Sequence, residues 1–295
     1  MTEAVAPTRA APPSAAIRPL RELLAPGWLL PPLALLAVLY FYPLALILAQ
    51  SLQGPSLGAY AQVLGTAMFR NAALNTVEIA LSATACCLVL GFGLALVLAF
   101  VPFPGAHTIA RGTDVFISLP TFLVALALTF LYGSAGMVNE ALMRVSGASL
   151  PPLDFLYSQA GVVLAETTVY TPFVLRPLLA AFSLIDPAQI EVASSLGARA
   201  PRIVRQVILP AAMPALLAGG SLCLLLTVNE FGIVFFIGAK GVITLPLLIY
   251  DKAIQEFDYT TACVAAVVNV GLSVLLYALT RVLVSGVGSW RAGLV

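Results

Sequence analysis

The amino-acid sequence predicts an all-α integral membrane protein with six transmembrane helices. Hydrophobic residues make up 61% of the 295 residues, charged residues make up 9%, and the mean hydropathy is +1.03. Soluble proteins average about 45–50% apolar and about 25% charged residues. The apolar residues form long continuous runs without alternation. Such runs favour helices over the strands of a barrel, because a helix satisfies its backbone hydrogen bonds within itself in lipid.

Six segments are apolar and carry at most one acidic residue each. They lie at residues 28–50, 71–100, 115–139, 155–175, 206–237 and 259–280. Each reaches the ~20 residues that a helix needs to cross a hydrocarbon core about 30 Å thick. The sequence therefore predicts six membrane spans.

The two ends of the chain are predicted to be tails. Residues 1–26 contain five prolines among alanines and cannot form a sustained helix, so we expect a flexible cytoplasmic tail. No short apolar core with a cleavage-site pattern precedes the first span, so a secretory signal is not expected. Residues 27–70 are assigned to the first helix and an outward loop, and residues 285–295 to a cytoplasmic C-terminal tail.

Basic residues predict the orientation, because loops rich in Lys and Arg stay in the cytoplasm. With the N-terminus in the cytoplasm, the basic residues predicted inside are Arg9, Arg18, Arg21, Arg111, Arg176, Arg199, Arg202, Arg205, Arg281 and Arg291. Those predicted outside are Arg70, Arg144, Lys240 and Lys252. Both termini and residues 183–210 then lie in the cytoplasm.

Residues 183–210 are a polar segment between two apolar runs. Asp186 is a good helix N-cap and Pro187 suits the first helical position. Gly197 can adopt the left-handed conformation that closes a helix, Pro201 can open a second helix, and Pro210 disfavours helix at the residue before it. The segment is predicted to form a helix, a sharp turn and a second helix.

The second helix of this hairpin is predicted to be amphipathic. Its basic residues recur at a spacing of three and so fall along one side, beside the membrane surface. They are Arg199, Arg202 and Arg205, while the opposite side carries Ile203, Val204 and Val207. The pattern is typical of a docking surface.

The hairpin resembles the cytoplasmic "EAA" loop of the permease subunits of binding-protein-dependent ABC importers. That loop has Glu-Ala-Ala, three residues, Gly, nine residues, Ile, any residue and Leu-Pro. This chain supplies Glu191, Ala193, Gly197, Leu209 and Pro210 in register, with Val192 and Val207 as apolar departures. An ordinary amphipathic loop between spans is the alternative interpretation.

Shorter signals extend the resemblance over residues 71–284, which are assigned to the permease core. They are Asn75-Thr76, Gly91, Gly93, Leu119-Pro120 and Thr244-Leu245-Pro246. The resemblance implies a type I importer permease bundle in the bacterial inner membrane. Such signals are also common in other helical membrane proteins, where small residues let helices approach closely.

The resemblance implies several partners and no cofactor. They are two ABC ATPase subunits, a second permease that is identical or different, an extracytoplasmic substrate-binding protein and the lipid bilayer. The residues implied in ATPase coupling are Asp186, Glu191, Ala193, Gly197, Leu209 and Pro210. Glu191 would contact basic groups, Gly197 would permit the turn, and Ala193 would keep the docking face small. A surface ion pair with Arg199 or Arg202 is the alternative for Glu191.

The substrate is also inferred from resemblance. The stretches beginning at Glu191, Leu226 and Gly238 are similar to permeases of 2-aminoethylphosphonate importers. Branches that carry sulfate, molybdate, iron or polyamines share the architecture and remain alternatives.

Other functional classes fit poorly. No Gly-x-x-x-x-Gly-Lys-Ser/Thr loop is present, so a partner must hydrolyse ATP. His107 is the one histidine, predicted in a loop, and supplies neither a catalytic pair nor a metal site. A net charge of +1 gives no reason to expect nucleic acid. The four cysteines fall within predicted spans and are interpreted as packing residues.

Carboxylates within spans mark candidate functional positions, because they are costly in lipid. Glu78, Glu166 and Glu230 are of this kind. The candidate translocation path comprises Glu230, Asn229, Thr227, Glu166 and Tyr170. The alternative for these carboxyls is an interhelical hydrogen bond or a protonated group that fixes packing.

The polar outward segments 140–157 and 238–258 are expected to contact a binding protein, or to be plain solvated connections. An ion-coupled secondary transporter is the rival function, since it also needs intramembrane carboxylates, but corresponding broken helices in two halves are not detected. A passive channel or scaffold is the third option.

Overall fold

A computed structural model describes the backbone of residues 26–52 and 58–292 and the side chains of residues 29–52 and 58–282. All regular structure in these residues is helical, which confirms the predicted fold class. Among them, six helical segments are long and apolar enough to cross a membrane. They are Leu29–Ser51, Ala67–Phe100, Thr121–Ser146, Gln159–Phe182, Ala200–Val228 and Tyr259–Val282. Residues 1–25 of the predicted N-terminal tail and the side chains of the predicted C-terminal tail lie outside this description.

The chain divides into two units, residues 1–49 and 50–295. Helix α1 (Pro26–Ser51) contains Pro31, Pro32 and Pro43, and none of its side chains from Leu29 to Ala49 is buried. Proline is tolerated in membrane helices, where neighbouring groups and local adjustments satisfy the freed backbone carbonyls.

Twelve further helices follow in the second unit. They are α2 (Gly58–Gly65), α3 (Ala67–Phe100), α4 (Ala106–Ser118), α5 (Thr121–Tyr132), α6 (Met137–Ser146), α7 (Gln159–Phe182), α8 (Pro187–Ser195), α9 (Ala200–Ile203), α10 (Leu209–Val228), α11 (Gly232–Ile237), α12 (Leu245–Tyr250) and α13 (Tyr259–Ala292).

The core of this unit is formed by α3, α7 and α10, which pack against one another. The contact is close because small residues lie at the crossing: a Cβ added at Gly219 would lie 3.0 Å from the Cα of Val174. Of the four cysteines interpreted as packing residues, Cys87 and Cys223 are fully buried in the same core, whereas Cys263 is half-buried and Cys86 is exposed.

The third span differs from the prediction at both ends. Leu119 is extended, with φ −78° and ψ 135°, because it precedes Pro120. The helix therefore stops at Ser118 and restarts at Thr121, and a further break at residues 133–136 separates α5 from α6. His107 lies in α4 and not in a loop, so that prediction was wrong.

The fifth span was predicted to reach residue 237, but it ends at Val228. Asn229 donates its side-chain amide to the Leu225 carbonyl at 2.8 Å, and the backbone N–H of Ile233 donates to Glu230 at 2.8 Å. These side chains replace backbone partners, so the helix ends and restarts as α11. Asn229 and Glu230 thus lie at a break between helices.

Pro210 was expected to disfavour helix before it, yet the chain is helical from α9 through α10. The accommodating feature is a π-helical turn over Val204–Ile208, in which the N–H of Leu209 donates to the carbonyl of Val204. The wider turn relieves the clash between the proline ring and the preceding turn. The second hairpin helix and the fifth span are consequently one continuous segment.

The segments predicted as outward loops contain helices. Met137–Ser146 and Leu245–Tyr250 are helical, and a π-helical turn follows over Asp251–Gln255. The second segment is held to α3, since Asn75 donates to the Ile243 carbonyl at 3.0 Å and the Leu245 N–H donates to Thr76 at 2.8 Å. Two of the short family signals therefore contact each other.

Candidate translocation cavity and coupling hairpin

The hairpin begins with the predicted cap. Asp186 accepts a hydrogen bond from the N–H of Ala188 at 2.9 Å, and Pro187 occupies the first helical position of α8. The cap satisfies a backbone donor that has no partner within the helix. The start of the hairpin was therefore predicted correctly.

The turn of the hairpin is a Schellman motif centred on Gly197, whose φ is +81°. Ala198 N–H donates to the Ala193 carbonyl at 3.0 Å, and Gly197 N–H donates to the Ser194 carbonyl at 2.9 Å. These two hydrogen bonds close a helix when the residue that follows its C-cap has a positive φ. Glycine adopts that conformation at the lowest energetic cost. Ala193 and Ala198 are half-buried and pack against the main core.

The outer face of the hairpin carries Glu191, Val192 and Leu196. Leu196 is 83% exposed and Val192 is 59% exposed in the single chain. The described residues contain no ion pair of Glu191 with Arg199 or Arg202, so its alternative role is not observed. The apolar part of this face was not predicted, although an exposed apolar residue on a polar hairpin is a signal for a contact surface.

The basic side of the second hairpin helix is exposed, as predicted. Arg199, Arg202 and Arg205 are exposed, whereas Ile203 is buried and Val204 is half-buried against the core. Leu209 is half-buried and Pro210 is exposed immediately after the π-helical turn. Of the coupling residues named from the sequence, Asp186, Glu191, Ala193 and Gly197 belong to α8 and its closing turn, whereas Leu209 and Pro210 begin α10.

A cavity of about 460 Å³ lies beside the break between α10 and α11. Its walls are mainly apolar, with Thr121, Tyr170, Asn229 and Glu230 as the polar lining residues. Of the five predicted path residues, Tyr170, Asn229 and Glu230 line this cavity. Thr121 was missed, although its position after Leu119-Pro120 is a helix-start signal.

Glu230 is buried and joins three elements. Thr121 at the start of α5 donates to its Oε1 at 3.2 Å, the N–H of Ile233 in α11 donates to the same oxygen at 2.8 Å, and the Tyr170 hydroxyl in α7 donates to Oε2. A carboxylate is suited to this position because it accepts several hydrogen bonds and donates none. Glu230 therefore holds the break in place.

Asn229 is exposed and linked to α13. Its amide donates to Ser273 at 3.2 Å, and its carbonyl oxygen accepts from Asn269 at 3.0 Å. Asn269 and Ser273 were not named as candidates, although polar residues within an apolar span are a usable signal.

The other two predicted path residues do not line the cavity. Thr227 is buried and donates to the Leu224 carbonyl at 3.0 Å. Glu166 is 1% exposed and lies one helical turn before Tyr170 in α7. Glu78 is exposed in the single chain and accepts from Gln159 at 3.1 Å, which is the interhelical bond offered as its alternative role.

Two carboxyl groups outside the spans have shifted pKa values. Burial raises the pKa of Asp251, with the charge of Glu256 adding to the effect and Lys252 opposing it. Hydrogen bonding from Thr261 lowers the pKa of Asp258, which accepts the Thr261 N–H at 3.1 Å at the start of α13. Asp258 thus acts as a helix cap.

Comparison with known proteins identifies the family. The profile of the "Binding-protein-dependent transport system inner membrane component" family matches residues 88–289. The chain is 56% identical over 273 residues to the "Putative 2-aminoethylphosphonate transport system permease protein PhnU" of Salmonella typhimurium, covering 91% of this chain and 94% of that protein. It is also 31% identical to the sulfate transport system permease protein CysT of Salmonella typhimurium, over 64% of this chain and 66% of that protein.

Solved structures show the same fold. A chain of a bacterial ABC transporter that imports alginate superposes with a TM-score of 0.76 at 17% identity, covering 90% of this chain and 96% of that chain. A chain of the MetNI methionine ABC transporter superposes with a TM-score of 0.56 at 21% identity, covering 75% of this chain and 96% of that chain. This chain belongs to the binding-protein-dependent transport system inner membrane components, the permease subunits of ABC importers.

Proposed function

We propose that the chain forms half of the pore of an ATP-driven importer of 2-aminoethylphosphonate. The substrate assignment rests on the 56% identity to proteins named as permeases for that compound, over 93% of their length. The relatives named for sulfate transport are less similar, at 31% identity, and make sulfate the second candidate.

In the proposed assembly, this chain pairs with a second permease, identical or different, and contacts two ATPase subunits and an extracytoplasmic binding protein. Both termini and the hairpin at residues 183–210 lie in the cytoplasm, and residues 71–284 form the permease core. The exposed arginines at the hairpin support this orientation, because cytoplasmic segments are enriched in basic residues.

The coupling step is assigned to the outer face of the hairpin. Glu191, Val192 and Leu196 dock into a cleft of an ATPase subunit, and the Schellman turn at Gly197 keeps α8 and α9 in a fixed relation. Because α9 continues through the π-helical turn into α10, a displacement of the hairpin is transmitted along α10. That helix ends at Asn229 and Glu230, which line the cavity.

The cargo route is assigned to the cavity lined by Tyr170, Asn229 and Glu230. A substrate with an ammonium and a phosphonate group needs polar contacts that are weak enough to allow release. The exposed side chain of Asn229 is already hydrogen-bonded to Leu225, Ser273 and Asn269. Glu230 already accepts three hydrogen bonds, so both residues can offer the cargo only weak contacts. Thr227 and Glu166 lie behind the wall of this route.

Uptake of isotope-labelled 2-aminoethylphosphonate tests the proposal. Cells that lack this chain should lose uptake and regain it with the wild-type chain, and excess unlabelled sulfate should not compete. If sulfate uptake is lost instead, the substrate assignment is wrong while the family assignment stands. Co-purification of an ATPase with the wild-type chain tests coupling separately.

Single cysteines test the orientation. In a variant without the native cysteines, Ser149→Cys in the segment between α6 and α7 should react with a membrane-impermeant maleimide added to cells with a permeabilised outer membrane. Ser195→Cys in the hairpin should react only after the inner membrane is also permeabilised. The opposite labelling pattern would refute the proposed orientation and the coupling role of the hairpin.

A further inference from the structure

Two carboxyl groups lie buried near each other inside the bundle. Glu166 in α7 is 1% exposed, and Glu230 at the break after α10 is 7% exposed. Glu166 and Tyr170 are four residues apart on one helix and so lie on the same face. Since Tyr170 donates to Glu230, the two carboxyl groups occupy neighbouring positions and act on each other electrostatically.

The surroundings of Glu230 suit an ionised carboxylate. Its two oxygens accept from the hydroxyls of Thr121 and Tyr170 and from the N–H of Ile233. All three partners donate, so the carboxylate needs no proton of its own to satisfy the site. Charge-assisted hydrogen bonds of this kind are stronger than neutral ones.

The surroundings of Glu166 suit the neutral acid instead. Its Oε2 is buried and has no hydrogen-bond partner among the described residues. The titratable groups near it are Glu230, Cys87, Tyr170 and Cys223, and none of them is a cation. An isolated ionised carboxylate is so costly to bury that such a group is neutralised by a proton.

We propose that Glu166 is a proton-binding site: in the folded protein its carboxyl holds a proton, so the bundle interior carries one negative charge, on Glu230. Protonation of Glu166 does not depend on the identity of the cargo. Its consequence is that an ammonium group entering the cavity meets a single carboxylate, itself already bound by three donors.

Infrared spectroscopy of the assembled transporter in a maltoside detergent, which has no carbonyl group, tests the proposal. At about pH 8 exposed carboxyls are ionised, so a protonated carboxylic acid gives an isolated C=O stretching band. Labelling with ¹³C-glutamate should shift that band in the wild-type protein. Absence of any acid band that responds to the label would overturn the proposal whether or not the variants fold.

Three variants assign the band. Glu166→Gln should abolish the acid band and leave the carboxylate bands unchanged. Glu230→Gln should retain the acid band and lose carboxylate absorption, and Glu78→Gln, the matched control at an exposed glutamate within a span, should do the same. Loss of the acid band in Glu230→Gln with its retention in Glu166→Gln would place the proton on the wrong residue and overturn the proposal.

Discussion

Glu230 illustrates what a single residue contributes to this protein. The sequence made Glu230 a candidate for the cargo route, with a hydrogen bond that fixes packing as the alternative, and the structure places it in the lining of the cavity. Its hydrogen bonds to Thr121, Tyr170 and Ile233 show a second task, because they connect α5, α7 and α11 at a break in the backbone. Removing one of the groups that donate a hydrogen bond to Glu230 should therefore destabilise this break.

Tyr170→Phe removes the hydroxyl that donates to Glu230 and keeps the ring. Hydrogen bonds to charged groups contribute about 1.5–3 kcal/mol, so we expect a lower melting temperature and slower uptake. Thermal unfolding of the purified complex measures the first effect. Tyr259→Phe, at an exposed tyrosine at the start of α13, is the control and should leave stability unchanged. Equal melting temperatures for both variants would contradict the structural task of Glu230.

At the scale of elements, caps and turns control where the helices end. Asp186 and Gly197 delimit α8, and Asp258 caps α13. These residues make local hydrogen bonds that depend on a few neighbours in sequence. Substitutions at such positions should therefore change one element while the spans remain inserted.

Gly197→Ala places a Cβ on a residue with φ +81°. The left-handed conformation costs an L-residue about 1–2 kcal/mol, so the turn should shift and the stimulation of the partner ATPase by the permease should fall. Gly93→Ala is the control, because that glycine lies in α3 with open space around its Cβ position. Full ATPase stimulation by Gly197→Ala would argue against the hairpin as the coupling element.

Asp258→Ala should destabilise α13 in a pH-dependent manner. Loss of a cap costs about 0.5–2 kcal/mol. Because hydrogen bonding lowers the pKa of Asp258 in the folded protein, its contribution is complete above the ordinary aspartate pKa of about 3.9 and disappears as the pH falls through the lower folded value. Thermal unfolding from about pH 7 to about pH 3 should therefore show a gap between wild type and variant that closes at acid pH. A constant gap would refute the charge-dependent cap.

At the scale of the whole molecule, the second unit depends on the close approach of α3, α7 and α10. The crossing of α7 and α10 leaves little space at Gly219, whose added Cβ would lie 3.0 Å from the backbone of Val174. Helices in lipid have no hydrophobic driving force for association, so their association depends on van der Waals contacts, which close approach allows.

Gly219→Ala should force these helices apart. Overpacking costs about 1–3 kcal/mol, so the detergent-solubilised protein should melt at a lower temperature. Gly271→Ala in α13 has no atom within 4 Å of the added Cβ and is the matched control. Alanine has a helix propensity about 1 kcal/mol more favourable than glycine, so the Gly271→Ala protein should be at least as stable as wild type. A Gly219→Ala protein as stable as this control would contradict the packing argument.

The fold class, the six spans and the start and turn of the hairpin could all be predicted from the amino-acid sequence. These features depend on hydropathy summed over ~20 residues, or on caps and left-handed residues that act within one turn. The motif around Glu191 and Gly197 also identified the family, which the comparisons confirm.

The interruptions of the spans and the contacts between polar residues depend on how the helices pack, and could not be predicted from the sequence. The break at Asn229 and Glu230 depends on partners from α5, α7 and α13, and the helix continues through Pro210 by widening into a π-helical turn. Thr121 and Glu230 lie 109 residues apart, so no local pattern relates them. Hydropathy places residues in the membrane, whereas contacts between helices decide which of them line a cavity.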